Sequence, residues 1–314
     1  MQRASDISEL ALAGSALTIG SFDGVHRGHQ ALIGAMVQDA RRAGWPAVVL
    51  TFFPHPSVVL RGRQPTFYIS SPDEKADLLG NLGVDLVITQ RFDESLSRVS
   101  ASGFLDLLGR HLGLKSLWLG EDFSLGHNRE GNRYFLERAG VERGFAFHVV
   151  PPVLVGGEVI SSTRVREALR AGDVARVAEY LGRPFRLPGK VERGAGRGKR
   201  IGIPTANLHV WDERAYPGPG VYACLAEVGD ERWQAVTNIG MRPTFESTPA
   251  APVIEAHLLD FDQAIYDLPL TLIFIERLRD ERRFPGPEAL MEQIRRDIAR
   301  ARPILAAALE ADHG

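Results

Sequence analysis

The chain has 314 residues, of which 44% are hydrophobic and 24% charged, with a formal net charge of −2. That length holds about two ordinary domains. The near-neutral charge excludes bulk nucleic-acid binding by electrostatics, and no run of about eighteen apolar residues predicts a membrane span. One cysteine, Cys224, cannot form an internal disulfide and suits a reducing cytosol. Residues from Met1 to Glu9 carry no secretory pattern. The expectation is a cytoplasmic protein without nucleic-acid or membrane partners.

Ala16-Leu17-Thr18-Ile19 is a short apolar run that predicts a first strand, and the spacing of Leu32, Ile33 and Met36 predicts a helix. Between them lies Gly20-Ser21-Phe22-Asp23-Gly24-Val25-His26-Arg27-Gly28-His29. Glycine lets backbone approach a bulky anion, and a helix N-terminus offers free N–H groups to phosphate. His26 and His29, three residues apart, point the same way if the turn is helical, and two imidazoles could then grip a phosphate during nucleotidyl transfer. An ordinary strand-to-helix connection fits the same glycines. Half of a metal site does not, because no Cys or Glu stands nearby at ligand spacing.

Further along, Ala47 to Phe52 has the continuous apolar character of a buried parallel strand. Ser71-Pro72-Asp73-Glu74 opens a helix with a capping box. Strands are predicted over residues 84–88, 116–120 and 145–149, with helices around Phe104 to Leu112 and Tyr134 to Val141. Such alternation predicts a doubly wound α/β sheet, whose ligands bind at the carboxyl ends of the strands. Three motifs follow predicted strands. Pro54-His55-Pro56 fixes a loop in which His55 either faces the site or idles. Gly120 to Gly126 carries Asp122, which either binds substrate or caps a turn. Ile160-Ser161-Ser162-Thr163-Arg164-Val165-Arg166 places hydroxyls at a helix start and Arg166 one turn in, either an anion clamp or a plain cap with solvated arginines. The helix from Asp173 to Leu181 stops at Gly182, and Gly182-Arg183-Pro184 marks a predicted domain boundary.

After Pro184 the pattern changes to β-type runs at residues 220–226, 233–238, 253–259 and 270–275, which predict a compact antiparallel barrel. A long helix from about Pro287 to Leu309 closes the chain. The basic glycine-rich stretch from Gly194 to Gly202 runs into Ile203-Pro204-Thr205-Ala206-Asn207. If Thr205 to Asn207 is extended, both side chains share a face, and their hard oxygens suit Mg²⁺. Glu255 sits within an apolar strand, either as a general base in a closed pocket or as an outward-facing residue with Val253 and His257.

The string from Gly20 to His29, with Thr51-Phe52-Phe53-Pro54-His55-Pro56 and Ile160 through Arg166, resembles the nucleotidyltransferase half of bacterial bifunctional riboflavin kinase/FAD synthetases. The segments Pro204-Thr205-Ala206-Asn207-Leu208, Asn238 to Phe245, Glu255 to Phe261 and Leu278 to Phe284 resemble the riboflavin kinase half. Departures are Leu125, where the family usually has Phe, and Asp267, where it has Gly. The resemblance implies a Rossmann-like nucleotidyltransferase domain over residues 1–183 and a barrel kinase domain over 184–314. It implies catalytic roles for Glu255, His26 and His29, and nucleotide or phosphate binding by Gly20, Phe22, Asp23, Gly24, Gly28, Ser162, Thr163, Arg166, Gly198 and Gly202. His55, Asp122 and Asn238 become substrate-binding candidates, and Thr205 and Asn207 Mg²⁺ ligands.

The implied function is phosphorylation of riboflavin by ATP to FMN, then adenylylation of FMN by ATP to FAD with release of pyrophosphate. A nucleotidyltransferase for another phosphate ester, such as a cytidylyltransferase with an accessory barrel, and a flavin-binding module without turnover are the rival readings.

Overall fold

The structure, a computed structural model, describes residues 1–62, 67–193, 202–241 and 252–311. Packing divides the chain into two compact units, Met1–Ser162 and Thr163–Gly314.

The first unit is built on strands β1 (Gln2–Ala4), β2 (Ser15–Ile19), β3 (Ala47–Phe53), β4 (Leu86–Arg91), β5 (Leu114–Gly120) and β6 (Ala146–Val150). They form one parallel sheet in the order β1-β4-β3-β2-β5-β6. Every residue of β2 is buried, as an apolar strand covered on both faces must be. Leu17, Ile19, Val48 and Leu50 pack on one face with α5 (Ala101–Leu112) and α6 (Arg133–Arg143). Ala16, Ala47, Val49 and Val87 pack on the other with α1 (Arg27–Ala43) and α3 (Pro72–Asn81). The chain moves outward from β2 through β3 to β4, then returns to β2's other side as β5. The reversal places a ligand crevice outside the carboxyl ends of these central strands.

The capping box at the start of α3 is complete, with Ser71 and Glu74 exchanging bonds. Two predictions shift. The edge strand β1 has only three residues and escapes the periodicity. The strand expected from Val84 begins at Leu86 instead, and just ahead of it the Asp85 carboxylate accepts the Ala47 N–H at 2.9 Å.

The first unit also holds the one-turn helix α4 (Glu94–Ser97) and a small antiparallel pair, β7 (Leu154–Val155) and β8 (Glu158–Val159), and helix α7 (Ser162–Ala171) crosses the division after its first residue. The second unit continues with α8 (Val174–Leu181) and strands β9 (Phe185–Glu192), β10 (Ala206–His209), β11 (Gly220–Val228), β12 (Glu231–Met241), β13 (Pro252–Leu258) and β14 (Pro269–Arg279). These six close an antiparallel barrel in the order β10-β13-β12-β11-β14-β9. The pattern predicts four of the six. Pro188 and Gly189 interrupt β9, and four-residue β10 is too short to show alternation. Asp267, where glycine is usual in the resembled family, takes φ +67°, a conformation glycine adopts freely.

Arg277 donates to the carbonyls of Ala171 and Pro219, and Gly218 N–H to Leu169 O, so the end of α7 is tied to the barrel. The C-terminal helix (Pro287–Ala311) lies on the outside of the barrel, where Ala301 and Leu305 cover Val221, Ala223 and Ile273. Its Asp297 is 5% exposed, and the carboxylate accepts from Arg279 Nε and from Gln293. Removing one partner of a buried pair strands the other. Asp297→Ala is therefore expected to lower the stability of the second unit by about 3 kcal/mol, with Asp297→Asn milder, as measured by urea unfolding.

Candidate functional site

Strand β2 ends in a turn whose backbone is strained. Phe22, Gly24 and Val25 all have positive φ, of 47°, 78° and 43°. For a β-branched residue such as Val25 this is costly. Asp23 holds the turn. Its carboxylate is 3% exposed and accepts the N–H groups of Ile69 and Ser70 at 3.0 and 3.1 Å. Gly24 N–H donates to Ser70 Oγ, and Ser162 Oγ donates to Asp23 O at 2.9 Å. The Phe22 ring is buried against Gly20, and the Asp23 carboxylate braces the loop from inside. Gly24 is required for space as well as φ, since a Cβ there would stand 2.7 Å from Ile69.

His26 is the N-cap of α1 rather than a helical residue, and its Nδ1 accepts the His29 N–H at 3.3 Å. A neutral ring with Nδ1 accepting carries its proton on Nε2. The two imidazoles are stacked, with centroids 3.6 Å apart. Gly28 makes room, because a Cβ there would meet the His26 ring at 3.1 Å. Burial pushes the His26 pKa down to about 4, against the pull of Asp23. His29 is held well below its usual value by burial and by the charges of His26 and Lys75. Both are neutral at pH 7, so they can act as N–H donors and not as fixed cations.

A cavity of about 450 Å³ opens beside this turn, with Gly20, Ser21, Arg61, Phe123, Asn128 and Arg129 in its walls. Among the described residues that line it none is acidic, and the two histidines are not among them. Leu125, at the departure from the family pattern, is in its wall. His55 and Asp122 are not among its described lining residues. His55 caps α2 (Pro56–Arg61), its Nδ1 accepting the Ser57 N–H at 3.1 Å. Asp122 is exposed, and its carbonyl accepts from Arg129. Sequence reasoning stopped at Gly126 and missed Asn128 and Arg129. Their signal is the bracket Gly126 to Gly131, which forces a tight excursion with φ of 52° and 60° at those two residues. In the second unit, Thr163 is exposed and Arg166 half-buried on α7.

The second unit has its own cavity, of about 570 Å³. Register puts Asn207, Glu255 and Asn238 side by side across β10, β13 and β12. Ile254, Ala256 and Leu258 are buried, while Glu255 and His257 point outward. The two readings of Glu255 merge: it faces out of the barrel and into a pocket. The roof is Leu290, Ile294 and Asp297 of the C-terminal helix, with Glu281 and Phe284 from the segment before it. Phe284 lies under the guanidiniums of Arg279 and Arg282 at 5.6 and 4.9 Å. Thr205 is in the wall, and His257 Nδ1, 2.7 Å from Pro204 O, pins that segment to β13. Gly202 takes φ +75° in an exposed turn, and Gly198 lies outside the described residues. Among the described residues no group of three His, Cys, Asp or Glu could hold a metal. The Thr205 hydroxyl and Asn207 amide fit Mg²⁺ only as part of a shell completed by phosphate oxygens and water.

The family model described as FAD synthetase matches residues 9–164, and that described as riboflavin kinase matches 181–305. A bifunctional riboflavin kinase/FMN adenylyltransferase from Pseudomonas fluorescens is 39% identical over 93% of this chain and 94% of its own length. Its counterpart in Escherichia coli is 36% identical over 95% of each chain. The chain belongs to the bifunctional riboflavin kinase/FMN adenylyltransferase family. The member from Bacillus subtilis is 36% identical over 91% of this chain and 90% of its own. A crystal structure from Streptococcus pneumoniae, described as a macrolide-efflux protein, superposes with a TM-score of 0.87 at 28% identity, covering 96% of this chain and 98% of that one. That description belongs to the neighbour. Among the described residues here, no helix is long and apolar enough to cross a membrane.

A family fold that buries neutral histidines responds to acid. The unfolded chain binds protons near pH 6.5, whereas folded His26 waits until about 4. The depressed pKa means that stability is lost as pH falls below 6.5. Lowering the pH from 7 to 5 should cost about 2 kcal/mol through His26. The variant His26→Asn keeps a capping acceptor without the proton uptake, and should reduce the dependence of Tm on pH over this range, leaving the part due to His29.

Proposed function

We propose that residues 184–314 phosphorylate riboflavin and residues 1–183 adenylylate the FMN produced, with ATP as co-substrate of both steps in the cytoplasm. The observation that carries the reading is the carboxylate of Glu255, set between Asn207 and Asn238 in a roofed cavity. A primary hydroxyl is a poor nucleophile until a base takes its proton. Glu255 accepts that proton as the riboflavin 5′-oxygen bonds to the γ-phosphorus of ATP, and ADP departs. Asn238 orients the flavin side of the pocket. Thr205 and Asn207 would hold Mg²⁺, which when bound neutralises phosphate charge.

Adenylyl transfer needs no such base, because the FMN phosphate is already an anion. Its oxygen bonds to the α-phosphorus of ATP as pyrophosphate leaves. Charge growing on the phosphates is met by N–H groups of the turn, the start of α1, and the neutral His26 and His29. Ser162 ties the start of α7 to the same turn. Thr163 and Arg166 are the pyrophosphate ligands that the motif implies, Gly20, Gly24 and Gly28 are the phosphate-binding glycines of the turn, and Gly202 belongs to the kinase's own phosphate loop. The names and extent of the relatives support both activities.

Incubation with riboflavin, ATP and Mg²⁺ followed by chromatography tests the reading directly. FMN and FAD are the expected products; another nucleotidyl ester or bound flavin without turnover would overturn it. In the same assay Glu255→Gln should reduce riboflavin phosphorylation at least about a hundredfold, leaving FAD synthesis from supplied FMN intact. Equal loss of both activities would indicate misfolding. His29→Ala should do the reverse, abolishing pyrophosphate release from ATP and FMN while riboflavin is still phosphorylated.

A further inference from the structure

Beneath the strained turn sits a buried lysine that the two reactions leave without a role. Lys75, in the first turn of α3, is 6% exposed. Its Nζ donates to Ser21 O at 3.0 Å and to Thr51 Oγ1 at 2.8 Å, and Thr51 Oγ1 donates to Ser21 O at 3.0 Å. The three groups tie the residue after Gly20 to β3. Among the described residues no carboxylate lies within ion-pair distance of the ammonium. The acidic neighbours on α3 are engaged elsewhere: Asp73 and Asp77 pair with Arg3, and Glu74 completes the capping box.

An unpaired buried ammonium is expensive, and a tie between two strand ends does not need one: a neutral donor would serve. The charge has a use if an anion binds above it. In a trans peptide the C=O and the following N–H point in opposite directions. Drawing the Ser21 carbonyl toward Lys75 therefore turns the Phe22 N–H away from the ammonium, and Ser21 itself lines the first cavity.

We propose that Lys75 is a positioning residue for adenylyl transfer, its ammonium fixing the Ser21–Phe22 peptide as a phosphate donor and adding positive charge beneath the bound phosphates. The inference rests on the adenylyltransferase reading of the first unit. The titratable groups that face Lys75 are Asp23 on the turn and His29 at the start of α1; β3 offers the Thr51 hydroxyl. Burial pushes the Lys75 pKa down to about 8, with Asp23 opposing. His29 is already neutral there, so the lysine is the group of this cluster that changes charge on the alkaline side. As pH rises through about 8, the ammonium is lost and adenylyl transfer falls with it.

The test is Lys75→Met, which keeps the length and apolar stem and removes the charge. FAD formation from FMN and ATP at pH 7 is expected to fall at least about tenfold, mainly in kcat. Riboflavin phosphorylation by the same preparation should be unchanged. The unmodified chain should lose adenylyl transfer between about pH 7 and 9.5, and the variant should show no such limb. A variant within twofold of the parent, or one that keeps the alkaline limb, overturns the proposal. If Lys75→Met does not fold, the unmodified chain decides: an alkaline limb in adenylyl transfer that phosphorylation lacks supports it, and a flat profile overturns it. A chain that makes no FAD at any pH removes the adenylyltransferase reading itself, whereas one that makes FAD with Lys75→Met unaffected removes only the lysine.

Discussion

The carboxylate of Asp23 is the interaction on which the first unit's chemistry depends. Residues 22, 24 and 25 stand in left-handed backbone conformations, and for the two with side chains this costs of the order of 1–3 kcal/mol each. A buried carboxylate accepting two backbone N–H groups is a charge-assisted anchor strong enough to hold them there. It also fixes everything downstream. The turn sets where α1 begins, α1 sets the stacked histidines, and Ser162 attaches the later motif to the Asp23 carbonyl. The strain is located where backbone must approach an anion, and glycine alone does not secure it: Phe22 and Val25 are forced into place by the bonds around Asp23.

The second unit solves a different problem. A closed six-stranded barrel fills its interior with its own side chains, here Phe185, Tyr222 and Phe274, all fully buried. The cavity of this unit lies on the outer face, where a strand alone offers only a flat surface. The C-terminal helix supplies the missing wall. Arg279 is shared between the two tasks, binding Asp297 to hold the helix and lining the cavity that the helix creates. Stability and site formation are thereby coupled through one ion pair.

Much of this was legible in one dimension, and what was hidden has identifiable causes. Caps and stops obey local rules, so Ser71–Glu74 and Gly182 stand where the pattern puts them. The alternation around Glu255 gave its outward direction, but only the distant helix makes that direction a pocket. A motif records which positions matter and not which way they face, so the turn of Asp23 onto the Ile69 and Ser70 N–H groups shows only in the structure, as do the capping of α2 by His55 and the exposure of Asp122. Lys75 drew no notice because a lysine in the first turn of a capped helix has the pattern of a solvated face; its burial is a tertiary fact, created by the turn folding over it.

The charges lining the two cavities fit the proposed division of labour better than either motif alone. A hydroxyl must lose a proton to attack, and the described lining of the barrel cavity includes three acids, Glu255, Glu281 and Asp297. Asp297 is committed to Arg279, which leaves Glu255 and Glu281, and of these Glu255, on the open strand face between Asn207 and Asn238, is the acceptor in the proposed reaction. A phosphate already carries its negative charge, and a carboxylate beside it would repel both it and the ATP it must meet. The described walls of the first cavity carry Arg61 and Arg129 and no acid, while the one acid of the adjoining turn, Asp23, is buried with its oxygens turned onto backbone N–H groups. Neutral histidines belong to the same logic. In the proposed reaction they would donate hydrogen bonds to developing charge without holding the product pyrophosphate as tightly as imidazolium pairs would, which matters when a polyanion has to leave.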